Sequence, residues 1–307
     1  MVHPSALMKK HLALITYSGL PRGAESERLM LPYLAAAKVE TEIVDWRSES
    51  TDFSKFDLIV LRSCWDYHLR VAEFIGWLQR AAQTTQILNP IDTVLWNHNK
   101  FYLREVEALG IEIVPTIFVS NARPLGAEEA TTMRSWPKGS IVVKPAISAS
   151  AHNTRLIDSG PWSAEDEVSR IMKGPFLMQP FIQEIQDQGE ISFVYIDGRF
   201  SHAALKRPAA GDFRVQQEHG GSAELFHPPV ALLDQADRIA ATVPQVRDSL
   251  YCRIDAVERD GKLVLMELEL IEPELFLGLA EGAAERFAKA IVRRISKNKF
   301  LPRMNAD

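Results

Sequence analysis

The carboxylates of one apolar segment are the first residues of this sequence whose types and spacing suggest chemistry. The segment is KLVLMELELIEPELF, residues 262–276, and its apolar run Leu263–Met266 predicts a buried strand. Glu267 and Glu269 continue that strand at alternate positions, so both side chains should face one side, about 7 Å apart at their Cα atoms. Two like charges on an apolar strand repel each other and resist desolvation, so the pattern indicates that a cation balances them.

A divalent metal ion is one candidate for that cation. Asp255 lies on the other arm of a hairpin predicted to turn at Asp260-Gly261, so its carboxylate can meet those of Glu267 and Glu269. Hard oxygen ligands favour Mg²⁺ or Mn²⁺, whereas zinc is a poor candidate because the histidines are scattered without ligand spacing. Since magnesium usually accompanies phosphate, the acids point to a nucleotide site. The alternative is that Glu269 pairs with a nearby arginine such as Arg253 and binds no metal.

Two lysines are candidates for binding the phosphates of such a nucleotide. Lys144 ends the apolar strand IVVKP, and Lys100 begins a helix after WNHN. A lysine that ends a buried strand is costly unless its ammonium meets an anion, although it can also extend to solvent. The small residues of AISASAHNT, 146–154, would let backbone N–H groups approach a polyphosphate, and a flexible loop is the alternative. A P-loop or Rossmann site lacks its signature, because neither a Walker A loop nor G-x-G-x-x-G is present.

The predicted secondary structure that must position these residues differs between the first and the later part of the chain. Strands and helices alternate in the first part, which predicts a doubly wound parallel sheet, and a strand-rich α+β part follows. The predicted strands lie within 11–16, 41–46, 56–62, 86–90, 111–119, 140–157, 174–182, 190–207 and 250–270. The predicted helices cover 24–38, 70–82, 99–109, 231–246 and 282–295.

The sequence RSCWDYH, residues 62–68, follows the third predicted strand. Ligands of doubly wound sheets bind beyond the carboxyl ends of the strands. Arg62, Trp65, Asp66 and Tyr67 are therefore candidate contacts for the carboxylate or amine of a substrate. The alternative is a helix N-terminus that Asp66 caps, with Trp65 in the core.

Composition narrows the functional classes. The 307 residues are 46% hydrophobic and carry a net charge of −5, which argues against nonspecific nucleic-acid binding. No apolar run is long enough to span a membrane, and the N-terminus lacks the layout of a secretory signal. Two distant cysteines, Cys64 and Cys252, imply no disulfide framework and favour a cytoplasmic protein. A homodimer is left open.

The ordered motifs resemble the ATP-grasp superfamily of carboxylate–amine ligases over essentially the whole chain. In order they are Lys100, VVKP, the small-residue loop, QPFI, GEISFVYIDG, Lys206, GDFR, Asp255 and Glu267. The resemblance implies an ATP-grasp fold, α/β and α+β, preceded by a doubly wound parallel-sheet domain. It implies an N-terminal substrate domain over 1–96, a central subdomain with the phosphate loop over 97–182 and a C-terminal subdomain with the metal site over 183–307.

Individual roles follow from the same resemblance. The implied ATP-binding residues are Lys100, Lys144, Ser148, Gln179, Phe181, Ile182 and Glu184. The implied catalytic cations are Lys206 and Arg214, and the implied ligands of Mg²⁺ or Mn²⁺ are Asp255, Glu267 and Glu269. The superfamily usually has asparagine where Glu269 stands and glycines where the loop has Ser148 to Ala151, and both departures weaken those two assignments.

The N-terminal half resembles a narrower group, the cycloserine-forming O-ureido-D-serine cyclo-ligase and its relatives. LPRGAESERL, WDY, VLWNHNKFYLREVEALGIEIVPT and ELELIEPELFL carry this resemblance. It implies a ligase that phosphorylates the carboxylate of a small amino-acid-like substrate with ATP, forms an acylphosphate and lets an amine displace phosphate, within one molecule or between two. The alternatives are an ATP-dependent small-molecule kinase and a nucleotide-binding regulatory protein without turnover.

Overall fold

Three β-sheets, each from a separate stretch of the chain, organise the described part of the protein. The computed structural model describes residues 9–120, 125–137, 139–157 and 174–297. Short 3-10 helices lie at Phe53–Lys55, Tyr67–Leu69 and Gln217–His219.

The first sheet is parallel and lies in the N-terminal part. Its elements are β1 (Lys10–Thr16), α1 (Glu25–Arg28), α2 (Leu31–Ala36), β2 (Val39–Asp45), β3 (Leu58–Leu61), α3 (Val71–Ala81), β4 (Gln86–Leu88) and α4 (Ile91–Asn97). The strand order is β2-β1-β3-β4, with β3 buried throughout. A parallel sheet with buried central strands is the arrangement that the alternating strands and helices predict.

The helix predicted over residues 24–38 is instead two short helices, α1 and α2, separated by Leu29 and Met30. Pro32 lies at the start of α2. Proline has no N–H to donate, and its ring would clash with the carbonyl four residues earlier, at Arg28. The amphipathic pattern alone therefore overestimated the length of this helix.

The second sheet is antiparallel and lies in the central part. Its elements are α5 (Tyr102–Ala108), β5 (Ile117–Val119), α6 (Ala127–Ser135), β6 (Ile141–Pro145), β7 (Arg155–Ile157) and β8 (Phe176–Pro180). The strand order is β5-β8-β6-β7. Only the end of the strand predicted over 111–119 belongs to this sheet, because Pro115 interrupts it. Before Pro115, the N–H of Val114 donates to the carbonyl of Leu265 (3.0 Å), which attaches this segment to the third sheet.

The third sheet is also antiparallel and contains the two predicted hairpins. Its elements are α7 (Glu184–Asp187), β9 (Glu190–Ile196), β10 (Arg199–Arg207), β11 (Ser222–Phe226), α8 (Val230–Thr242), α9 (Pro244–Arg247), β12 (Tyr251–Arg259), β13 (Lys262–Glu269) and α10 (Ala283–Lys297). The strand order is β11-β10-β9-β12-β13. Both hairpin turns, Asp197-Gly198 and Asp260-Gly261, have positive φ at both residues, as a two-residue turn of type I′ requires.

The cores show which parts of the chain fold together. Leu12 and Met30 of the N-terminal part lie in one buried cluster with Phe287 and Ile291 of α10. The second sheet has a separate small core around Val143. The N-terminal and C-terminal parts are therefore packed as one body, and the central sheet contributes a core of its own.

Buried hydrogen bonds also join the first and third sheets at the carboxyl ends of β3 and β4. The amide of Asn89 donates to the carbonyls of Tyr251 (2.8 Å) and Leu270 (2.7 Å). The hydroxyl of Tyr251 lies within hydrogen-bond distance of the carbonyls of Leu61 (2.6 Å) and Ile271 (2.7 Å). These bonds hold the ends of the parallel strands against the segment that follows β13.

Candidate active site

A cavity of about 240 Å³ lies where the second and third sheets face each other, next to the carboxyl end of β3. Most of the side chains that the sequence singled out line it. These are Trp65, Tyr67, Lys100, Lys144, Ser148, Gln179, Phe181, Ile182, Lys206, Arg214, Asp255, Glu267 and Glu269. Residues far apart in sequence thus meet because the ends of β3, β6, β8 and β13 converge on one space.

Lys100 and Lys144 lie on the same wall of the cavity but differ in their partners. The ammonium of Lys100 donates to the carbonyl of Ser148 (2.7 Å) and lies 2.8 Å from a carboxylate oxygen of Glu267. Among the described residues, no hydrogen bond or ion pair engages the ammonium of Lys144. Burial lowers the pKa of Lys144 from its ordinary value. A buried ammonium without a partner is suited to bind an anion such as a phosphate.

The loop between β6 and β7 holds a tight backbone conformation without glycine. Ser150, Ala151 and Asn153 have positive φ values of 48°, 53° and 57°. Residues other than glycine rarely adopt this left-handed backbone conformation, and such conformations cluster at binding sites. The loop lines the cavity from Ser148 to Ala151, and the carbonyl of Ser148 and the carboxylate of Glu267 contact the same ammonium, that of Lys100.

The segment after β8 is predicted to hold the adenine. Gln179 donates to the hydroxyl of Thr116 (2.9 Å), and the N–H of Phe181 donates to the carbonyl of Ser140 (2.9 Å). Within the described chain, the carbonyl of Phe181 and the N–H of Ile182 have no hydrogen-bond partner. These two groups border the cavity and could pair with the edge of a purine base. The adenine role remains a prediction.

Arg253 is the centre of the acidic wall, although the sequence pattern indicated it only as an alternative partner of Glu269. Its guanidinium donates to Asp255 (2.9 Å from Nε and from Nη2), to Glu269 and to the carbonyl of Glu274 (3.0 Å). Arg253 and Asp255 occupy alternate positions of β12, and Arg253 lies opposite Glu269 on β13. That alternation is visible in the sequence and could have placed Arg253 on the same face as the acids.

Lys206 completes the charge balance at the base of the cavity. Its ammonium pairs with Glu190, its neighbour across β9 and β10, and with Asp255 (3.1 Å). Asp255 also accepts from the hydroxyl of Ser192 (2.6 Å). Although burial alone would raise it, the pKa of Asp255 is held well below its ordinary value by Arg253 and Lys206.

The acids of β13 and the following segment have different pKa values. Burial would raise the pKa of Glu267, but Lys100 and Lys144 lower it below its ordinary value. Burial raises the pKa of Glu269 to about 7, against the opposing effect of Arg253. Burial and the charge of Glu269 raise the pKa of Glu272 to about 8. Internal cations rather than solvent therefore make the carboxylate pair tolerable in this fold.

A divalent cation fits the donor chemistry of this wall, but the wall is not a ready-made metal site. Among the described residues, no group of three or more His, Cys, Asp or Glu side chains is arranged to hold a metal ion. Asp255, Glu267 and Glu269 supply the hard oxygen atoms that Mg²⁺ prefers. One carboxylate oxygen each of Glu267 and Glu269 has no partner within the described chain, so these two could turn to a cation that arrives with phosphate.

Arg214 lies at the mouth of the cavity, where a second, more open cleft of about 510 Å³ begins. Its guanidinium is paired with Asp212 through Nε (3.0 Å) and Nη2 (2.8 Å). Asp66, His68 and His152 border this second cleft. The ring centroids of the two histidines are 5.0 Å apart. Arg214 thus borders both spaces.

Arg62, Asp66 and Glu184 do not line the main cavity. Arg62 is fully buried beneath it, 3.3 Å from Glu27, and donates to the carbonyl of Pro273 (2.9 Å). Asp66 accepts from the indole of Trp46 (2.8 Å). Glu184 is paired with Arg259 at 2.5 and 3.0 Å. The structure therefore does not bring Arg62 and Glu184 to the other predicted site residues, whereas Asp66 borders the second cleft together with Trp65 and Arg214.

Two antiparallel sheets that face each other across a cavity, after a parallel-sheet domain, are the arrangement that the ATP-grasp resemblance implies, and comparisons with known proteins agree. Residues 148–274 match the RimK-like ATP-grasp domain, and residues 12–89 match the N-terminal domain of D-cycloserine synthetase DcsG. The chain is an ATP-grasp ligase with an N-terminal domain of the DcsG type. The predicted family and fold class are thus confirmed.

Individual relatives support the same assignment. The cycloserine biosynthesis protein DcsG of Streptomyces lavendulae is 28% identical over 285 residues, which cover 87% of this chain and 93% of that protein. The crystal structure of D-cycloserine synthetase DcsG has a TM-score of 0.78 at 24% identity, covering 93% and 99% of the two chains. A D-alanine–D-alanine ligase from Bacillus anthracis has a TM-score of 0.64 at 15% identity, covering 94% and 99%. Within the described residues, no helix is both long and apolar enough to cross a membrane.

Proposed function

We propose that this ligase activates the carboxylate of a small amino-acid-like substrate with ATP and joins it to an amine through an acylphosphate. The arrangement that carries the proposal is the cavity wall on which Lys144 is unpaired while Lys100, Lys206 and Arg253 are already balanced by carboxylates. An anion that enters would find one free ammonium and several cations able to exchange partners. Polyphosphate fits this requirement.

The first step of the proposed reaction is phosphoryl transfer. An oxygen of the substrate carboxylate attacks the γ-phosphorus of ATP, the bond from that phosphorus to the β–γ bridging oxygen breaks, and ADP leaves. Lys100 and Lys144 bind the phosphates, and Lys206, Arg214 and Arg253 stabilise the negative charge of the transferred group. Catalysis of this kind depends mainly on positioning and charge.

The second step joins the activated carbonyl to nitrogen. An amine attacks the acylphosphate carbonyl, phosphate leaves with the electron pair of the C–O bond, and the nitrogen loses one proton. The products are an amide, ADP and phosphate. Similarity to D-cycloserine synthetase supports a nucleophile within the same molecule, which gives a ring, while similarity to a D-alanine–D-alanine ligase leaves two-substrate ligation as the other route.

We assign the metal role to Asp255, Glu267 and Glu269. When bound, Mg²⁺ or Mn²⁺ would neutralise the phosphates of ATP during transfer. The support for this assignment is the shared wall of the three carboxylates and the unpartnered oxygens of Glu267 and Glu269.

Trp65 and Tyr67 are the proposed contacts of the N-terminal domain with the substrate, because both line the cavity. Arg62 and Asp66 would act on the substrate indirectly. Arg62 holds the carbonyl of Pro273, which belongs to the cavity wall segment after β13. The indole of Trp65 donates to the neighbouring carbonyl of Glu272 (2.9 Å), so the two segments are fixed together.

A screen of phosphate release tests the proposal. Amino acids, including O-ureido-D-serine, are supplied singly and in pairs with ATP and Mg²⁺, and product masses are recorded. Release that depends on an amine, with loss of water between carboxylate and amine in the product mass, supports the ligase. A stable phosphorylated product would replace the proposal with a kinase, and an absence of turnover across the panel would favour a regulatory nucleotide-binding protein.

A further inference from the structure

The charges that line the main cavity are almost all paired within the protein. Lys100 pairs with Glu267, Lys206 with Glu190 and Asp255, Arg253 with Asp255 and Glu269, and Arg214 with Asp212. The carboxylate of Glu274 accepts from the N–H of Phe276 (2.7 Å).

Three lining charges of the described chain remain without a hydrogen bond or ion pair. Glu218 is one of them, but it is exposed at the mouth of the cavity, where water solvates it. Lys144 is buried and faces the loop that is proposed to hold phosphate. Glu272 is half-buried, and its carboxylate has no partner although its backbone carbonyl accepts from Trp65. Lys144 and Glu272 are thus the shielded charges that a ligand has to match.

The surroundings of Glu272 differ from those of the phosphate-binding wall. Its negative charge acts on Tyr67, whose pKa is raised far above its ordinary value first by burial and then by Glu272. Trp65 lies on the same side, held by its bond to the carbonyl of Glu272. Lys100 and Arg253 act on the charge of Glu272 from a distance, and both are already engaged by Glu267, Asp255 and Glu269. This end of the cavity therefore combines an unpaired carboxylate with two aromatic side chains.

Such surroundings favour an organic cation over an anion. Desolvation makes an unpaired carboxylate costly, so a cation that enters gains a charge-assisted hydrogen bond. Aromatic side chains nearby add attraction for an ammonium group. A second phosphate or a free carboxylate would be repelled here.

We propose that Glu272 binds the free ammonium group of the substrate, so that the enzyme accepts amino acids with an unmodified amine and rejects their N-acylated forms. The inference rests on the proposed ligase function and specifies its substrate class. Glu272 would hold the ammonium group and leave the carboxylate on the same carbon atom free to turn towards Lys206 and Arg253. The selectivity follows because an N-acyl group removes the positive charge and leaves Glu272 without a partner.

The experiment compares substrates that differ only in that charge. Phosphate release is measured with O-ureido-D-serine, D-serine and D-alanine, each beside its N-acetyl derivative, and hydroxylamine is added throughout so that a nucleophile is present even where the amino group is blocked. The wild type should use at least one free amine and none of the N-acetyl compounds. Equal use of a free amine and its N-acetyl derivative overturns the inference while leaving the ligase function in place. No phosphate release with any amino acid across the wider screen overturns the proposed function, and the inference with it.

Two variants test the residue itself. Glu272→Gln keeps the shape but removes the charge, and should raise the KM for the amino substrate by about 10- to 100-fold while leaving the KM for ATP unchanged. Glu272→Asp, which retains a charge on a shorter side chain, should recover part of that loss. Glu218→Gln, at the mouth of the same cavity, is the matched control and should change neither constant. An unchanged KM for the amino substrate in folded Glu272→Gln overturns the inference.

Discussion

At the scale of single residues, the site is a set of charges that have already found partners, with Lys144 as the exception on the phosphate side. Removing the partner of a buried charge is costly because the remaining charge is left desolvated. Removing an unpaired buried charge has the opposite effect on the free protein, since its desolvation cost disappears. Lys144 can therefore be deleted with little harm to folding.

The first prediction concerns that deletion. Lys144→Ala should weaken binding of a nonhydrolysable ATP analogue by about 1.5–3 kcal/mol, because one charge-assisted phosphate contact is lost. Its melting temperature without nucleotide should equal or exceed that of the wild type. Titration calorimetry and thermal melts measure both. Lys262→Ala, on an exposed lysine at the start of β13, is the control, and an unaltered affinity in Lys144→Ala would exclude Lys144 from the ATP site.

The second prediction separates the two roles open to Glu269. Glu269 is paired with Arg253, and its other carboxylate oxygen is free to meet a metal ion. If Glu269 binds metal, Glu269→Gln should raise the Mg²⁺ concentration for half-maximal turnover by roughly tenfold, the effect of losing about 1.4 kcal/mol of binding. Glu184→Gln is the control, since Glu184 pairs with Arg259 outside the cavity. A lower melting temperature with an unchanged Mg²⁺ requirement would show that Glu269 only neutralises Arg253.

At the scale of elements, the hairpin of β12 and β13 sets the distances within the acidic wall. Asp255 lies opposite Glu267, and Arg253 lies opposite Glu269. A shift by one residue would turn each side chain to the other face of the sheet. The turn at Asp260-Gly261, with φ values of 52° and 77°, sets the register as far as Ala256, and an irregularity between Ala256 and Asp255 then shifts it by one residue before the acidic wall.

The third prediction tests the turn. Gly261→Ala should lower the free energy of unfolding by about 1 kcal/mol, because a β-carbon disfavours the left-handed conformation. A steric clash is not the reason for the loss, since no atom lies within 4 Å of the position that the new β-carbon would take. Gly174→Ala is a matched control, because its site is equally open and its φ is not positive, so it should not be destabilised. Denaturant unfolding of both variants measures the difference, and equal stabilities would contradict the role of the turn.

The helices and strands, and their order along the chain, could be predicted from the sequence wherever the hydrophobic pattern is uninterrupted. The hairpins, with their Asp-Gly turns, were predicted in the right places because two-residue turns have a specific chemistry. Pro32 and Pro244 lie at the starts of α2 and α9, and Pro115 precedes β5, so each marks a break in a helix or strand that the apolar pattern alone would continue.

The candidate site was predicted unevenly for a different physical reason. Lys144 and Asp255 were found because strand-end position and alternation are local properties. Arg253 was available to the same reasoning but was considered only as a partner of Glu269. Glu272 was not identified as a site residue, because only the folded structure shows that its carboxylate lacks a hydrogen-bond or ion-pair partner among the described residues. The burial of Arg62 depends on packing against Tyr251 and Phe287, which no local pattern records.

At the scale of the whole molecule, the cavity is assembled from all three parts of the chain. Trp65 from the N-terminal part, Lys144 from the central sheet and Glu272 from the C-terminal part line the same space. Bonds from Asn89 and Tyr251 hold the first and third sheets together at this point. Ionisation inside the cavity should therefore affect the stability of the entire fold.

The fourth prediction is a pH dependence of that stability. Glu272 has a pKa of about 8 in the folded protein, above its ordinary value, so the folded state binds more protons than the unfolded state below pH 8. Stability should then fall as pH rises from about 6.5 to 8, by roughly 1 kcal/mol or 2 °C after allowing for solvent screening. Glu269, with a raised pKa of about 7, adds a decline of the same sign over the lower part of this range. The acids whose pKa is lowered titrate below the range, and so do His68 and His202 in the folded state.

Melting curves across this range should show the decline in the wild type and a flatter profile in Glu272→Gln, which cannot ionise. Glu218→Gln should follow the wild type. A wild-type profile that rises from pH 6.5 to 8 would contradict the prediction, because its sign requires the folded state to release protons in this range.

The core that joins the parallel sheet to α10 limits which segments of related ligases can be combined in one chimaeric chain. Met30 and Leu34 of the N-terminal part pack in the same cluster as Phe287 and Ile291 of the last helix. A chimaera that took only the first 96 residues from a relative would set foreign side chains against this helix and leave gaps or overlaps in the cluster. Transplanting the N-terminal part together with its packing partner would require two crossovers, one after α4 and one before α10. The two pieces of this core thus lie at opposite ends of the chain, while Glu272, the proposed contact of the substrate ammonium, lies in the segment between them.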